Sequence, residues 1–365
     1  MKKHDILIQN NERKAKEYIE SLEEKKPLFL CVIATTETAK IPGISAAGKY
    51  PEFTDYTPPA DAELIYFGKC KCIDAVPATP EGIPTPALIT MSALKLVSIP
   101  AFVVDAGCRV KPHAPFIGLG GFPGADIRTG RAVNNVDEVL RRAESAGKQF
   151  SKTADYLVIG ESIPGGTTTA LALLLALGID AKGKVSSSMP NNPHDLKAQV
   201  AEEAMRAAGI RFGELHSEPL KAIAHVGDPM MPALAGLILG ASEVPILMAG
   251  GTQMAAVLAI LTALKPEVLR NIVLATTKWI LQDKSSDLVG ITRQIFDIPI
   301  LGADLNFGIS SNAGLRAYEE GVVKEGVGAG GTSIAAMLKS GGIVNREILL
   351  REIDESYARL VGHRR

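Results

Sequence analysis

The chain repeatedly runs a short β-branched stretch into a turn of small residues and then into an apolar helix, and this alternation constrains its fold most. β-rich runs stand at LFLCVIA (28–34), ELIYFG (63–68), AFVVDAG (101–107), DYLVIG (155–160), AIAHVG (222–227), VPILMAG (244–250) and NIVLATT (271–277). Most lead through glycine or other small residues into helical periodicity. Strands alternating with helices imply βαβ units. The expected fold is α/β, a Rossmann-like three-layer arrangement of a mostly parallel sheet with helices on both faces. The 35 glycines, beside only 5% aromatic residues, suit many tight strand-to-helix turns. A helix is expected from about Pro193, with Asn192 as its cap and Asp195 in its first turn.

The two ends read differently. Residues 10–26 form a charged amphipathic pattern, and residues 345–360 another, with Ile348, Ile353, Tyr357 and Leu360 as its apolar stripe. Residues 313–342 show helical patterns and no convincing strand. The expectation is an α/β domain over 27–310 carrying a small helical subdomain made from 1–26 and 311–365. The proline-rich stretch 77–86 reads as a surface loop, with a segment that lines a site as the alternative.

Composition excludes several function classes. A chain of 365 residues at 46% hydrophobic content buries a large core, and its net charge of −1 argues against nucleic acid or an anionic membrane as partner. PILMAGGTQMAAVLAILTAL (245–264) has the length of a membrane span, but Gly250 and Gly251 divide it into strand and helix. The opening MKKHDILIQNNERKAKEY lacks the apolar run of a signal peptide, so a cytoplasmic protein is expected. Cys31, Cys70, Cys72 and Cys108 are too few for a disulfide scaffold, and the lone CxC lacks the second pair a zinc site needs. No metal and no cofactor are expected.

The stretch GESIPGGTTTALALLLALG (160–178) carries the chemistry. A strand ends in glycine, a loop follows, and an apolar helix begins, so the loop lies at the carboxyl edge of the sheet, where open α/β folds bind ligands. Gly165 and Gly166 allow close backbone approach, and the N–H groups and hydroxyls of Thr167, Thr168 and Thr169 would meet an anion there. The lysine of a Walker A loop is absent. A tight turn with threonine caps is the alternative. HVGDPMMPALAGLILGA (225–241), MAGGTQMAAVLAILTAL (248–264) and Asp105 in VVDAGC add further edges to one crevice. His225 reads as a satisfied strand-end histidine. In KEGVGAGGTSIAAML (324–338) the glycines match GxGxxG, yet no strand precedes them, so the dinucleotide reading fails. What remains is Glu325 before an apolar helix, either a partly desolvated base or a solvated loop glutamate.

In order and spacing, GES-x-PGGTTTALALLLALG, Lys197, VGDPMMPALAGLILGA, PILMAGGTQMAAVLAIL and KEGVGAGGTS resemble nicotinate-nucleotide–dimethylbenzimidazole phosphoribosyltransferases over roughly 101–341. The resemblance implies a homodimeric enzyme of two small-molecule substrates, nicotinate mononucleotide and a benzimidazole-type base. It implies that Gly160, Gly165, Gly166, Thr167, Thr168, Lys197, Gly227, Gly250, Gly251, Gly326 and Gly328 bind the nucleotide and its phosphate. Glu161 would stabilise charge at the sugar carbon, Glu325 would act as general base, and Asp105, Ala106 and Gly107 would line the acceptor-base pocket. Pro164-Gly165-Gly166 stands where the family has Ile-Gly-Asn, Val327 replaces a serine or threonine, the histidine usual beside VVDAGC is missing, and GADLNFGISS (302–311) departs from the usual pattern. These differences mark a divergent branch whose acceptor base is the part expected to vary. A nucleotide-binding protein without catalysis and a phosphoribosyl transferase with another acceptor are the alternatives.

Overall fold

A computed structural model describes residues 4–47 and 50–362. Its strands are β1 (Ile6–Gln9), β2 (Pro27–Ala34), β3 (Ala101–Gly107), β4 (Phe116–Gly118), β5 (Tyr156–Ser162), β6 (Ile246–Ala249), β7 (Ile272–Thr277) and β8 (Ile300–Ala303). They form one sheet in the order β1-β8-β7-β6-β5-β2-β3-β4, parallel throughout except where β1 pairs with β8. Both faces are covered. Along β2, Leu28, Leu30 and Val32 enter one core while Phe29, Cys31 and Ile33 enter the other. Every residue of β2, β5, β6 and β7 is buried, which is why these strands read as unbroken apolar runs.

The first helices in chain order are α1 (Glu12–Leu22), α2 (Thr57–Phe67), α3 (Ala87–Leu96), α4 (Val136–Phe150), α5 (Gly166–Ala176), α6 (His194–Ala208) and α7 (Pro219–Val226). There follow α8 (Met230–Gly240), α9 (Thr252–Leu264), α10 (Lys278–Leu281), α11 (Leu288–Ile295), α12 (Ala313–Arg316), α13 (Ala329–Lys339) and α14 (Arg346–Gly362). Helices α4 to α9 and α11 feed the core on one face of the sheet, and α1, α2, α3, α13 and α14 feed the other. Helices α5, α8 and α9 are buried nearly all round and so lack an amphipathic stripe. Strand β6 and helix α9 divide residues 245–264 as expected, and no helix among the described residues is long and apolar enough to cross a membrane. The terminal segments bring α1, α13 and α14 together on one face, and the first also gives β1 to the sheet.

Two expected strands are helices. ELIYFG belongs to α2, which Pro58 and Pro59 open and Gly68 closes in a left-handed turn at φ 69°. AIAHVG is α7, set between Pro219 in its first turn and Gly227. Prolines that fix φ in a first turn, with glycine after the last, outweigh a short apolar run. His225 therefore lies on a helix, where its Nδ1 is 2.8 Å from the Gly130 carbonyl. Asn192 does not cap α6; its amide donates to the carbonyls of Val185 and Ser285 instead.

Sheet order sets the site. After β2 the chain builds β3 and β4 outward on one side, then returns to place β5 on the other. The direction of winding reverses between β2 and β5, and a crevice opens at their carboxyl ends.

Candidate active site

A cavity of about 580 Å³ lies over that crevice. Residues 44–47 after β2, 161–167 at the end of β5, Gly251 and Gln253 at the start of α9, and Glu325, Gly326 and Val327 before α13 all line it. The loop after β5 has the turn and helix start that its sequence suggests. Gly165 takes the left-handed conformation (φ 79°) and α5 starts at Gly166, so the positive dipole end of the helix faces the cavity, although the N–H groups of Gly166, Thr168 and Thr169 already bond the carbonyls of Ile163 and Gly165. The N-terminus of α9 arrives beside it through Gly251. Among the described lining residues there is no lysine, arginine or histidine.

Thr167 lines the cavity. Thr168 is fully buried behind it, and Thr169 turns its hydroxyl to the Gly166 carbonyl and to Asp228, away from any ligand. Gly160 lies underneath, where a Cβ would come 2.7 Å from the Cα of Gly328, so these two glycines let strand and loop touch. Gly250 donates its N–H to the Ala275 carbonyl and Gly227 to that of Ile223, both outside the cavity wall. Lys197 also stands outside it, wholly buried, with Nζ 2.6 Å from the Ser186 carbonyl and 3.2 Å from Asn192 Oδ1. Burial, with Lys324 close by, pulls its pKa down to about 7. It braces the serines 186–188, which do line the cavity.

Carboxyl groups line the cavity as well. Glu161 is 3% exposed, accepting the Ile163 N–H at 3.0 Å and the Gln253 amide at 3.4 Å. Burial, then the neighbouring Asp228, Glu325 and Asp61, push its pKa well above the carboxylate range. Glu325 accepts N–H bonds from Gly326 and Gly330, so it caps α13, and a hydroxyl bond from Thr276. Desolvation still raises it to about 7 despite those donors. Of the two sequence alternatives for Glu325, the solvated loop glutamate does not hold: the carboxyl is desolvated, caps α13 and lines the cavity.

The segment that presents Glu325 is strained. Val323, Lys324 and Val327 hold φ at 67°, 63° and 56°. Such a conformation costs β-branched residues on the order of 1–3 kcal/mol each. It is held by Val323 N–H on the Ser188 carbonyl, Val327 N–H on the Glu161 carbonyl and the Thr277 and Thr90 hydroxyls on the carbonyls of Lys324 and Val327. A buried ion pair between Lys324 Nζ and Asp283 Oδ2, at 3.0 Å, adds to it.

Two expectations are corrected. Asp105, Ala106 and Gly107 do not line the cavity; the Asp105 carboxyl is taken up by the N–H groups of Gly107 and Cys108 and by Lys111. The stretch 77–86 is no mere surface loop, for Pro77, Ala78, Thr79, Ile83, Thr85 and Pro86 form a wall of the cavity. Sequence reasoning also missed Asp61 and the aromatic pair Phe53 and Tyr56 on that side. The available signal was an acid set among the prolines and alanines at the start of α2.

A family profile described as phosphoribosyltransferase matches residues 97–279. UPF0284 proteins of Methanothermobacter thermautotrophicus and Sulfurisphaera tokodaii are each 48% identical to this chain, over 88% and 93% of it and 90% and 95% of their own lengths. One from Methanopyrus kandleri is 45% identical over 91% of this chain and 88% of its own. CobT from Thermus thermophilus has the same fold, with a TM-score of 0.58 at 16% identity, covering 94% of this chain and 92% of that one. A structure of nicotinate-nucleotide-dimethylbenzimidazole phosphoribosyltransferase from that organism gives 0.52 at 15% identity, over 98% and 95%. The chain belongs to the phosphoribosyltransferase family of the nicotinate-nucleotide–dimethylbenzimidazole type, in the branch formed by the UPF0284 proteins.

Proposed function

We propose that this protein transfers the 5-phosphoribosyl group of nicotinate mononucleotide to a benzimidazole-type base, giving α-ribazole phosphate and nicotinate. One observation carries the reading: a single cavity is lined both by the N-termini of α5 and α9 and by Glu161 and Glu325, two carboxyls of raised pKa. The helix ends suit the donor's anionic phosphate, and the raised carboxyls suit hydrogen bonding and proton transfer at the reacting bases. Residues Gly165, Gly166 and Thr167, with Gly251, hold the phosphate. Glu161, whose raised pKa favours the protonated carboxyl, lies towards the ribose hydroxyls and hydrogen-bonds them.

The pyridinium nitrogen keeps the bonding electron pair, so nicotinate leaves without needing an acid. A lone pair on one ring nitrogen of the acceptor forms the new bond to the sugar carbon, and Glu325 takes the proton from the second nitrogen. With a pKa near 7, Glu325 is matched to that task at neutral pH. The acceptor lies against Ile44, Phe53, Tyr56, Ile83 and Pro86. Following the family likeness, the working unit is a homodimer, which sedimentation tests directly. The reaction is tested by nicotinate release from the mononucleotide, with and without a panel of benzimidazoles and purines. Acceptor-dependent release supports transfer; tight mononucleotide binding without release under any condition points to a binding protein.

A further inference from the structure

Asp61 stands on α2 at the cavity wall, 2% exposed. Its Oδ1 accepts the Thr85 hydroxyl and its Oδ2 the Ser162 hydroxyl, each at 2.7 Å. Thr85 and Ser162 line the same cavity. A hydroxyl has one proton to give, and both are spent on the carboxylate. The three side chains therefore turn only lone pairs toward a ligand. Ile44, Phe53, Tyr56, Ile83 and Pro86 line the same cavity. Burial lifts the Asp61 pKa to about 6, against the pull of the two hydroxyls, which leaves it ionised at neutral pH.

We propose that Thr85, Asp61 and Ser162 form an acceptor-only edge that selects the incoming base, requiring an N–H or O–H donor on its ring in addition to the reacting nitrogens. The class of base is an amino- or hydroxy-substituted aromatic nitrogen heterocycle. A base bearing only methyl groups there strips water from the carboxylate and returns no hydrogen bond. Sites built to hydrogen-bond a substituent reject analogues lacking it far more strongly than apolar pockets reject an added group. This rests on the phosphoribosyl-transfer reading, yet it concerns the acceptor end alone.

The test is kcat/KM at saturating nicotinate mononucleotide for benzimidazole, dimethylbenzimidazole, hydroxybenzimidazole and aminobenzimidazole. The hydroxy or amino acceptor should exceed the dimethyl one by roughly 10-fold or more. Asp61→Asn, which puts a donor on the edge at nearly the same size, should collapse that ratio while the mononucleotide KM holds. A wild-type preference for the dimethyl base overturns the proposal. So does an unchanged ratio in Asp61→Asn, or an equal loss with every acceptor, which marks a structural or proton-transfer role. The wild-type panel stands even where the variant fails to fold. Should no acceptor release nicotinate, the transfer reading falls on its own; calorimetry of the same free bases then still reads the edge, and equal affinities overturn it.

Discussion

The backbone N–H of Val327 donates to the carbonyl of Glu161 at 2.8 Å, joining the loop before α13 to the carboxyl end of β5. Through that bond the two glutamates singled out by sequence, far apart in the chain, come to face one cavity. The strained backbone around Glu325 has a fixed partner there, so the carboxyl is held in place before any ligand arrives.

Replacing Glu325 with glutamine keeps size but removes the ability to take a proton. Turnover should fall by roughly 10²–10⁴-fold. Because the side chain also caps α13, the melting temperature should drop, by an amount matching about 0.5–2 kcal/mol. Mononucleotide affinity should hold. Full activity with saturating acceptor removes Glu325 from the mechanism.

Gly165 and Gly166 should separate folding from binding. A Cβ at Gly166 meets the side chains of Ile163 and Gln253 at 3.0–3.2 Å, which can give way, whereas one at Gly165 meets the Ala39 backbone at φ 79°. Gly166→Asp should fold and lose mononucleotide binding by calorimetry, since it sets a charge where phosphate must lie. Gly165→Ala should lower thermal stability first.

Gly160→Ala tests the contact below the loop. Its methyl would stand 2.7 Å from Gly328 Cα and 2.9 Å from Gly328 N, and backbone does not swing aside. Stability should fall by about 1–3 kcal/mol, as in other overpacked cores. Turnover should fall as well, because Glu325 shifts with Gly328. A variant of unchanged melting temperature and rate contradicts the close approach.

Raised carboxyl pKa values set the sign of the pH dependence. Glu325 is lifted to about 7, and Asp61 and Asp228 to about 6. In the unfolded chain these groups ionise first as pH rises, so the stability they give is complete below their ordinary pKa and lost on the way to 7. A tenfold difference in proton affinity between the folded and unfolded chain is worth about 1.4 kcal/mol. Glu63, held down to about 2, acts only below its ordinary pKa of 4.5, and Lys197, lowered to about 7, acts only above it. The unliganded protein should therefore melt lower at pH 7 than at pH 5, with a smaller slope in Glu325→Gln. A rising midpoint over that window contradicts the buried cluster.

Most of the sheet was legible because β2, β5, β6 and β7 are buried along their whole length and β3 over most of it, so they read as largely apolar runs. Strands β1 and β4 are short and lie at the sheet edges. Strand β8 is as short as β6, but β6 runs through glycines straight into the apolar helix α9, while β8 leads into a loop. In α2 and α7 the apolar runs outweighed the prolines and glycines that cap them. The turn at Gly165 and the start of α5 were legible because glycine and threonine before an apolar helix have a local meaning. Asp61 and the stretch 77–86 were not, since they reach the cavity through tertiary packing alone. Asp105 was misplaced for the converse reason: a carboxylate at a strand end satisfied by its own backbone looks, in sequence, like one waiting for a ligand.

The central claim is that one cavity moves a phosphoribosyl group between two nitrogen bases. The most direct measurement incubates the protein with nicotinate mononucleotide and a benzimidazole and follows both products, with the anomeric configuration read by NMR. Nicotinate and phosphoribosylated base should appear in equal amounts, the new glycosidic bond inverted to α as direct displacement requires. Nicotinate released without any phosphoribosylated base, or a product of retained β configuration, would contradict it.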